Sequence, residues 1–320
     1  MLRARRPAVP RECSHLRLVR PPALRVVDVA LFYGERSGGI RTYLDAKRRV
    51  LADDPRADHH VIVPGARERH GYGWHELPSL RLAAANGYRV PVGVRHLKQT
   101  LRDLRPDVVL LHDPFWSILG VTAVAREAGA CVVAVHHTSP DLDAAGLPGP
   151  DRLWRPVMRR WFHRAYRRVD AVMSAGDTRA DTGRTAALAL RFGVDPAFRP
   201  QPAVRRERHV LYAGRIAREK GLDTLLDAAA SGARVVASAT APAVRSVGEL
   251  AHTFAPGDVA GLARAIATAR AAERDLPAAA ALAARSCWTE AVGREVDDLR
   301  ELLAGGGRAL QLTRGGTRAA

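Results

Sequence analysis

The chain has 320 residues, 47% hydrophobic and 26% charged, with 50 Lys and Arg against 33 Asp and Glu, for a net charge of +17. That is long enough for two domains and too apolar for a disordered chain, and it excludes a fibre or a mini-protein. The excess charge suits nucleic acid, anionic lipid or a phosphate-rich ligand. However, only Lys47, Lys98 and Lys220 are lysines, and the arginines are spread over the whole chain, as biased codon composition gives. Cys13, Cys131 and Cys287 are far apart and form no C-x-x-C pair. Neither a zinc site nor a disulfide framework is indicated, and a reducing, cytoplasmic compartment is expected. No segment reaches the roughly 18 to 20 apolar residues of a membrane span.

In chain order, residues 1–25 carry seven arginines and no apolar signal core, and read as a disordered basic leader. Short Val-rich runs follow at 26–33, 60–63, 107–112, 131–137, 171–174, 210–213, 234–237 and 253–255. Runs of this length without polar alternation suit strands buried on both faces, and helix-length segments between them argue for parallel α/β sheets. One helix is placed at 94–104 by Val94, Leu97, Leu101 and Leu104 and stopped by Pro106. Another is placed at 259–272, with Asp258 as its N-cap after Pro256-Gly257. Pro196, Pro200 and Pro202 mark a linker. The expected organisation is an N-terminal domain over 26–200, a smaller one over 208–287, a last helix over 288–304 and an unstructured tail over 305–320. Two such sheets in series place a ligand at the carboxyl ends of strands, in the cleft between them.

Three features could carry chemistry. Gly38 and Gly39 open a helix after the first strand, where bare backbone N–H groups and the helix dipole favour an anion; a purely structural turn reads the same way. The spacing matches neither a dinucleotide fingerprint nor a Walker loop. Arg215 and Lys220 flank the turn between the strand 210–213 and the next helix, so both cations can converge on one anion, or stand as a solvated basic turn. Charge-assisted bonds of this kind contribute about 1.5–3 kcal/mol each. The pairs His112-Asp113 and His136-His137 close buried strands at their carboxyl ends, where an imidazole reaches a cleft or simply satisfies a strand end. His59-His60 follows the Asp53-Asp54-Pro55 turn and is expected at the surface. No histidine spacing supports a metal site.

In combination these segments resemble the retaining glycosyltransferases of GT-B fold, family four, a group that includes bacterial mannosyl- and glucosyltransferases. The likeness runs from about residue 26 to residue 303. It rests on Ser37-Gly38-Gly39-Ile40, Pro106-Asp107-Val108-Val109 leading to His112, Val135-His136-His137-Thr138-Ser139, Phe192-Gly193-Val194-Asp195, Gly214-Arg215 with Glu219-Lys220-Gly221, and Pro256-Gly257-Asp258. The resemblance implies two Rossmann-like parallel-sheet domains and a nucleotide-diphosphate sugar as donor. It implies that Arg215 and Lys220 hold the donor diphosphate without a metal ion or a cofactor, and that Gly38 and Gly39 lie against phosphates and acceptor. His137 would contact the sugar near the reacting carbon, and the last helix would cross back onto the N-terminal domain.

The family's second acidic motif, two glutamates eight positions apart, is missing. Residues 222–230 run straight into Ser231-Gly232, as if the chain between two alanine runs had been excised, so the second domain is expected to be shortened. Glu219 and Asp227 are eight apart, but Glu219 belongs to the diphosphate turn. A shortened sheet exposes an edge and apolar area, which predicts low stability or self-association, and a lost positioning contact slows transfer. The expected function is hexosyl or mannosyl transfer with retention to a lipid, glycan or small-molecule hydroxyl. The alternative is a non-catalytic relative that binds a ligand or partner. Specific nucleic-acid binding is not expected. The arginines at 155, 159, 160, 164, 167 and 168 alternate with Trp154, Trp161, Phe162 and Tyr166. They read either as a peripheral contact with the inner face of a membrane or as a solvated helix with one buried stripe.

Overall fold

The computed structural model describes residues 23–31, 33–34, 38–81, 89–91, 93–113, 116–137, 140–145, 147, 149–174, 186–195, 232–239, 244–255 and 258–305. The expected strand 210–213 and helix 222–230, and with them Arg215 and Lys220, lie outside the described residues. So do most of the basic leader, nearly all of the tail, Ser37 and Thr138-Ser139.

The N-terminal unit is built on one sheet. Its strands are β1 (Leu24–Val29), β2 (Ala57–Gly65), β3 (Arg69–Gly71), β4 (Trp74–Arg81), β5 (Arg89–Pro91), β6 (Val108–Leu111), β7 (Cys131–His136), β8 (Ala171–Ser174) and β9 (Ala186–Ala189). The order is β3-β4-β2-β1-β6-β7-β8-β9, with β5 paired to β4. Every neighbour pair is parallel except the pairings of β3 and β5 with β4. The chain therefore leaves β1 towards β2 on one side and returns to β6 on the other. The crevice at the carboxyl ends of β1 and β6 is the topological switch point at which open α/β sheets bind ligands.

Four strands go beyond the sequence expectation. β3 and β5 are three-residue edges, β9 is Ala-Ala-Leu-Ala, and β4 carries Pro78; none has the Val-rich signature. β1 begins at Leu24, so Leu24 and Arg25 belong to the sheet rather than to a leader. The Arg25 guanidinium holds Asp58 at 2.7 Å and donates to the Leu104 carbonyl at 2.7 Å.

Both faces of the sheet are covered, as continuous apolar strands require. On one face lie α1 (Gly39–Leu51) and the last helix. Tyr43, Leu44 and Leu51 of α1 form one core with Val26, Val108, Val133 and Met173. On the other face lie α2 (Arg95–Leu104), α3 (Trp116–Glu127) and α5 (Asp151–Tyr166), preceded by α4 (Pro140–Ala145). Their Leu97, Leu101, Ile118, Val121, Phe162 and Tyr166 pack on Val27, Val109 and Val132. Within α5 the buried stripe is Phe162, Ala165 and Tyr166, while Arg155 and Arg159 pair with Asp151 and Asp141 at 2.6 and 2.9 Å. Leu153 and Val157 of the same helix stay exposed among the arginines.

The second unit contains, among the described residues, the parallel pair β10 (Val235–Ser238) and β11 (Ala251–Phe254) with α6 (Val244–Val247), α7 (Val259–Ala271) and α8 (Leu276–Arg285). Val235, Ala237, Val247 and Leu282 are its core, which Val194 joins from the connecting segment. Asp258 caps α7 by accepting from the Gly261 N–H at 2.7 Å, and Asp275 caps α8 in the same way. Gly232 takes the left-handed φ of +74° after the alanine run.

The last helix, α9 (Trp288–Ala304), leaves this unit and docks on the first. Its Val292, Val296, Leu299 and Leu302 enter the core with Tyr43 and Leu44, each such burial contributing about 1.5–3 kcal/mol. Arg191 pairs with Asp298 at 2.5 Å, and Arg300 donates to the Arg56 carbonyl at 2.7 Å. Where α9 begins, Val194 pairs with Cys287 and the Val194 N–H meets the Ser286 carbonyl at 2.5 Å. A Cβ on Gly193 would collide with the backbone and ring of Trp288. Only glycine permits this approach.

Candidate active site

The switch point holds a buried polar network built from six separate elements. Asp28 interrupts the apolar run of β1 and is fully buried. Its Oδ1 meets His112 Nε2 at 2.7 Å, and its Oδ2 meets His59 Nε2 at 2.5 Å and Lys47 Nζ at 2.8 Å. Lys47 lies on the buried stripe of α1 with Tyr43, Leu44 and Leu51 and is 1% exposed. Its ammonium also meets Glu295 Oε1 of α9 at 2.5 Å. The Tyr43 hydroxyl donates to Glu295 Oε2.

From Asp28 the network runs outward to the end of β7. His112 Nδ1 lies 2.8 Å from His137 Nε2, and the two rings stack with centroids 5.1 Å apart. Tyr43 meets His137 edge-on at 6.4 Å. The neighbouring His136 turns the other way, its Nδ1 2.5 Å from the Tyr166 hydroxyl.

The charges follow from this geometry. Burial alone would raise the Asp28 pKa, but the Lys47 ammonium and the His112 and His59 hydrogen bonds hold it well below the usual carboxylate range. Burial would lower Lys47; Asp28 and Glu295 outweigh it and raise it instead. Burial, with Glu295 beside it, pushes Tyr43 well above 10, so its hydroxyl remains a donor. His137 is held well below the ordinary imidazole value by burial and by His112 and His136. Burial lowers His136 to about 4 and lowers His59 as well.

Of the residues expected to act, the structure brings His137 to the carboxyl edge of the sheet, half-buried, at the end of β7. Gly38 and Gly39 open α1 directly after β1. Gly38 stands at the N-cap and the first turn carries no acidic residue, so among the described residues no side chain caps the backbone N–H groups at this end of the helix. His59 corrects the surface expectation: its ring is 3% exposed and bonded to Asp28, because β2 pairs with β1 and lays this residue beside the carboxylate. His60 is only partly exposed, between Asp58 and His75. Sequence reasoning also missed Asp28, Lys47 and Glu295. The signal was present: each is a charge on an otherwise apolar strand or helix stripe. Among the described residues no cluster of His, Cys, Asp and Glu has the form of a metal site.

Comparison with known proteins decides the class. Residues 37–182 match the family model described as Glycosyltransferase Family 4. A GDP-mannose-dependent alpha-(1-6)-phosphatidylinositol dimannoside mannosyltransferase of Mycobacterium tuberculosis is 31% identical over 324 residues, covering 88% of this chain and 82% of that protein. The chain belongs to glycosyltransferase family 4.

Among solved structures, a sucrose-phosphate synthase of Thermosynechococcus elongatus matches 88% of this glycosyltransferase and all of its own chain, at 13% identity and a TM-score of 0.54. Anabaena HepE, in complex with UDP, covers 89% of this chain and 99% of its own, at 13% identity and a TM-score of 0.50. The fold is GT-B. The family match takes in Gly38, Gly39, Lys47, His112 and His137 together. No described helix is long and apolar enough to cross a membrane.

Proposed function

We propose that this glycosyltransferase transfers a hexosyl unit, mannose first among candidates, from a nucleotide-diphosphate sugar to an acceptor hydroxyl with retention. The observation that carries this is the switch-point crevice, where the helix N-terminus at Gly38-Gly39 and a neutral imidazole at His137 meet the carboxyl edge of one sheet. The relative's GDP-mannose dependence supports the donor class. In this reading the Gly38 and Gly39 backbone approaches phosphates and acceptor, and His137 contacts the sugar beside the breaking bond. Arg215 and Lys220 neutralise the diphosphate as charge develops on it. Positioning and leaving-group stabilisation then supply the acceleration, with no metal ion required. The acceptor is a lipid, glycan or small-molecule hydroxyl. Leu153 and Val157, exposed among the α5 arginines, suit a peripheral contact with anionic lipid.

The second domain is shortened in this reading. The alignment with the mannosyltransferase is 324 positions long although it takes in only 88% of 320 residues, so the relative carries residues with no counterpart here. The missing acidic motif lowers the rate, and it favours a second reading in which the chain binds a ligand or partner without transfer. Release of nucleoside diphosphate from GDP-mannose or UDP-glucose, with and without a lipid or glycan acceptor, separates the two. Acceptor-dependent release supports transfer; bound donor that is never consumed supports the binding module.

A further inference from the structure

The buried network dictates how His137 meets its substrate. An ionised Asp28 can only accept hydrogen bonds, so both imidazoles on it, His59 and His112, donate through Nε2–H. An uncharged His112 then presents Nδ1 as a lone pair, whereas an imidazolium would donate from Nδ1 and reverse the assignment. The partner 2.8 Å from this lone pair is His137 Nε2, which must therefore carry the proton. The remaining nitrogen of His137, Nδ1, then has no proton to give.

We propose that Asp28 and His112 are positioning residues that fix the His137 ring as its Nε2–H tautomer, so that Nδ1 accepts a hydrogen bond from a hydroxyl of the sugar substrate. The inference rests on the transferase reading for the identity of the substrate, and on an uncharged His112 for the tautomer. Stacking on His112 and edge contact with Tyr43 hold the ring plane. The groups facing the pair are Asp28, Lys47, Glu295, His59, His136 and Tyr43. Lys47 sits on the far side of Asp28, and Tyr43 and Glu295 are bonded to each other, so neither competes for the His112–His137 bond. The orientation also selects among ligands, because a hydroxyl donates to Nδ1 whereas a phosphate oxygen is repelled by its lone pair. His137 thus belongs to the sugar end of the donor, and the anion falls to the helix N-terminus at Gly38-Gly39.

The test is nuclear magnetic resonance of the full chain with 15N-labelled histidine at pH 7.5. His137 is assigned by its disappearance in His137→Gln. The expected result is a protonated Nε2 and an unprotonated Nδ1; a protonated Nδ1 overturns the proposal. His112→Gln keeps an amide donor for Asp28 and a carbonyl acceptor for His137, so it should preserve this tautomer and most of kcat/KM. His112→Leu removes both, and should release the tautomer and lower kcat/KM for GDP-mannose about 10- to 100-fold. Equal losses in the Gln and Leu variants would overturn the role. If His112→Leu does not fold, the wild type and His112→Gln spectra decide. A chain that turns over neither GDP-mannose nor UDP-glucose yet shows the expected tautomer refutes the transferase reading and leaves the relay standing. Turnover with the opposite tautomer does the reverse.

Discussion

Replacing Lys47 by Met removes the one ammonium between two buried carboxylates. In the native chain Nζ stands 2.8 Å from Asp28 and 2.5 Å from Glu295, with all three side chains all but excluded from water. Removing one partner of such a cluster commonly costs about 3–5 kcal/mol, because the remaining charges are left in a low-dielectric site. At about 2–4 °C per kcal/mol for a domain of this size, the melting temperature should fall by roughly 10 °C. The double variant Lys47→Met with Glu295→Gln should recover part of the loss, since the second change neutralises a charge that the first one orphaned. The loss should also shrink as pH falls, because an orphaned buried carboxylate has a raised pKa and takes up a proton. Urea unfolding followed by tryptophan fluorescence, with Trp288 beside the network, measures both effects. A single variant costing under about 1 kcal/mol, or a strictly additive double variant, would refute the account of this cluster as mutually compensating charges.

Other expectations follow from the same structure. Gly193→Ala should destabilise the chain by about 1–3 kcal/mol through its collision with Trp288, and hydrogen exchange should show α9 protected less than before. His136, buried and lowered to about 4 from an unfolded value of about 6.5, contributes stability that is present above pH 6.5 and lost as pH falls towards 4. Its share is about 3 kcal/mol. A thermal-unfolding series from pH 7 to pH 4 should descend through that window, and a flat profile there would contradict a neutral buried imidazole.

What the sequence conveyed follows from how each element is stabilised. β6, β7 and β8 are apolar strands covered on both faces, and their runs are legible in the sequence almost to the residue. β3, β5 and β9 owe their existence to pairing with a neighbour, so their own composition, as in the Ala-Ala-Leu-Ala of β9, carries little signal. The site divides along the same line. Gly38-Gly39 open a helix and His137 follows a strand end, and both announce themselves locally. Asp28, His112, Lys47 and Glu295 meet only through the tertiary fold, with the Asp28–His112 pair 84 positions apart and the Tyr43–Glu295 pair 252 apart. The placement of His59 failed for that reason: its turn looks exposed in sequence, and only the β1–β2 register shows the carboxylate beside it. A charge standing on an otherwise apolar stripe was the available clue, as with Lys47 among Tyr43, Leu44 and Leu51.

The proposal that Arg215 and Lys220 receive the diphosphate of a sugar donor is open to isothermal calorimetry with GDP and UDP. The account predicts micromolar binding of at least one nucleoside diphosphate, abolished in Arg215→Ala with Lys220→Ala while the melting temperature is kept. Binding that survives the double change, or no binding of either nucleotide by the intact chain, would contradict it.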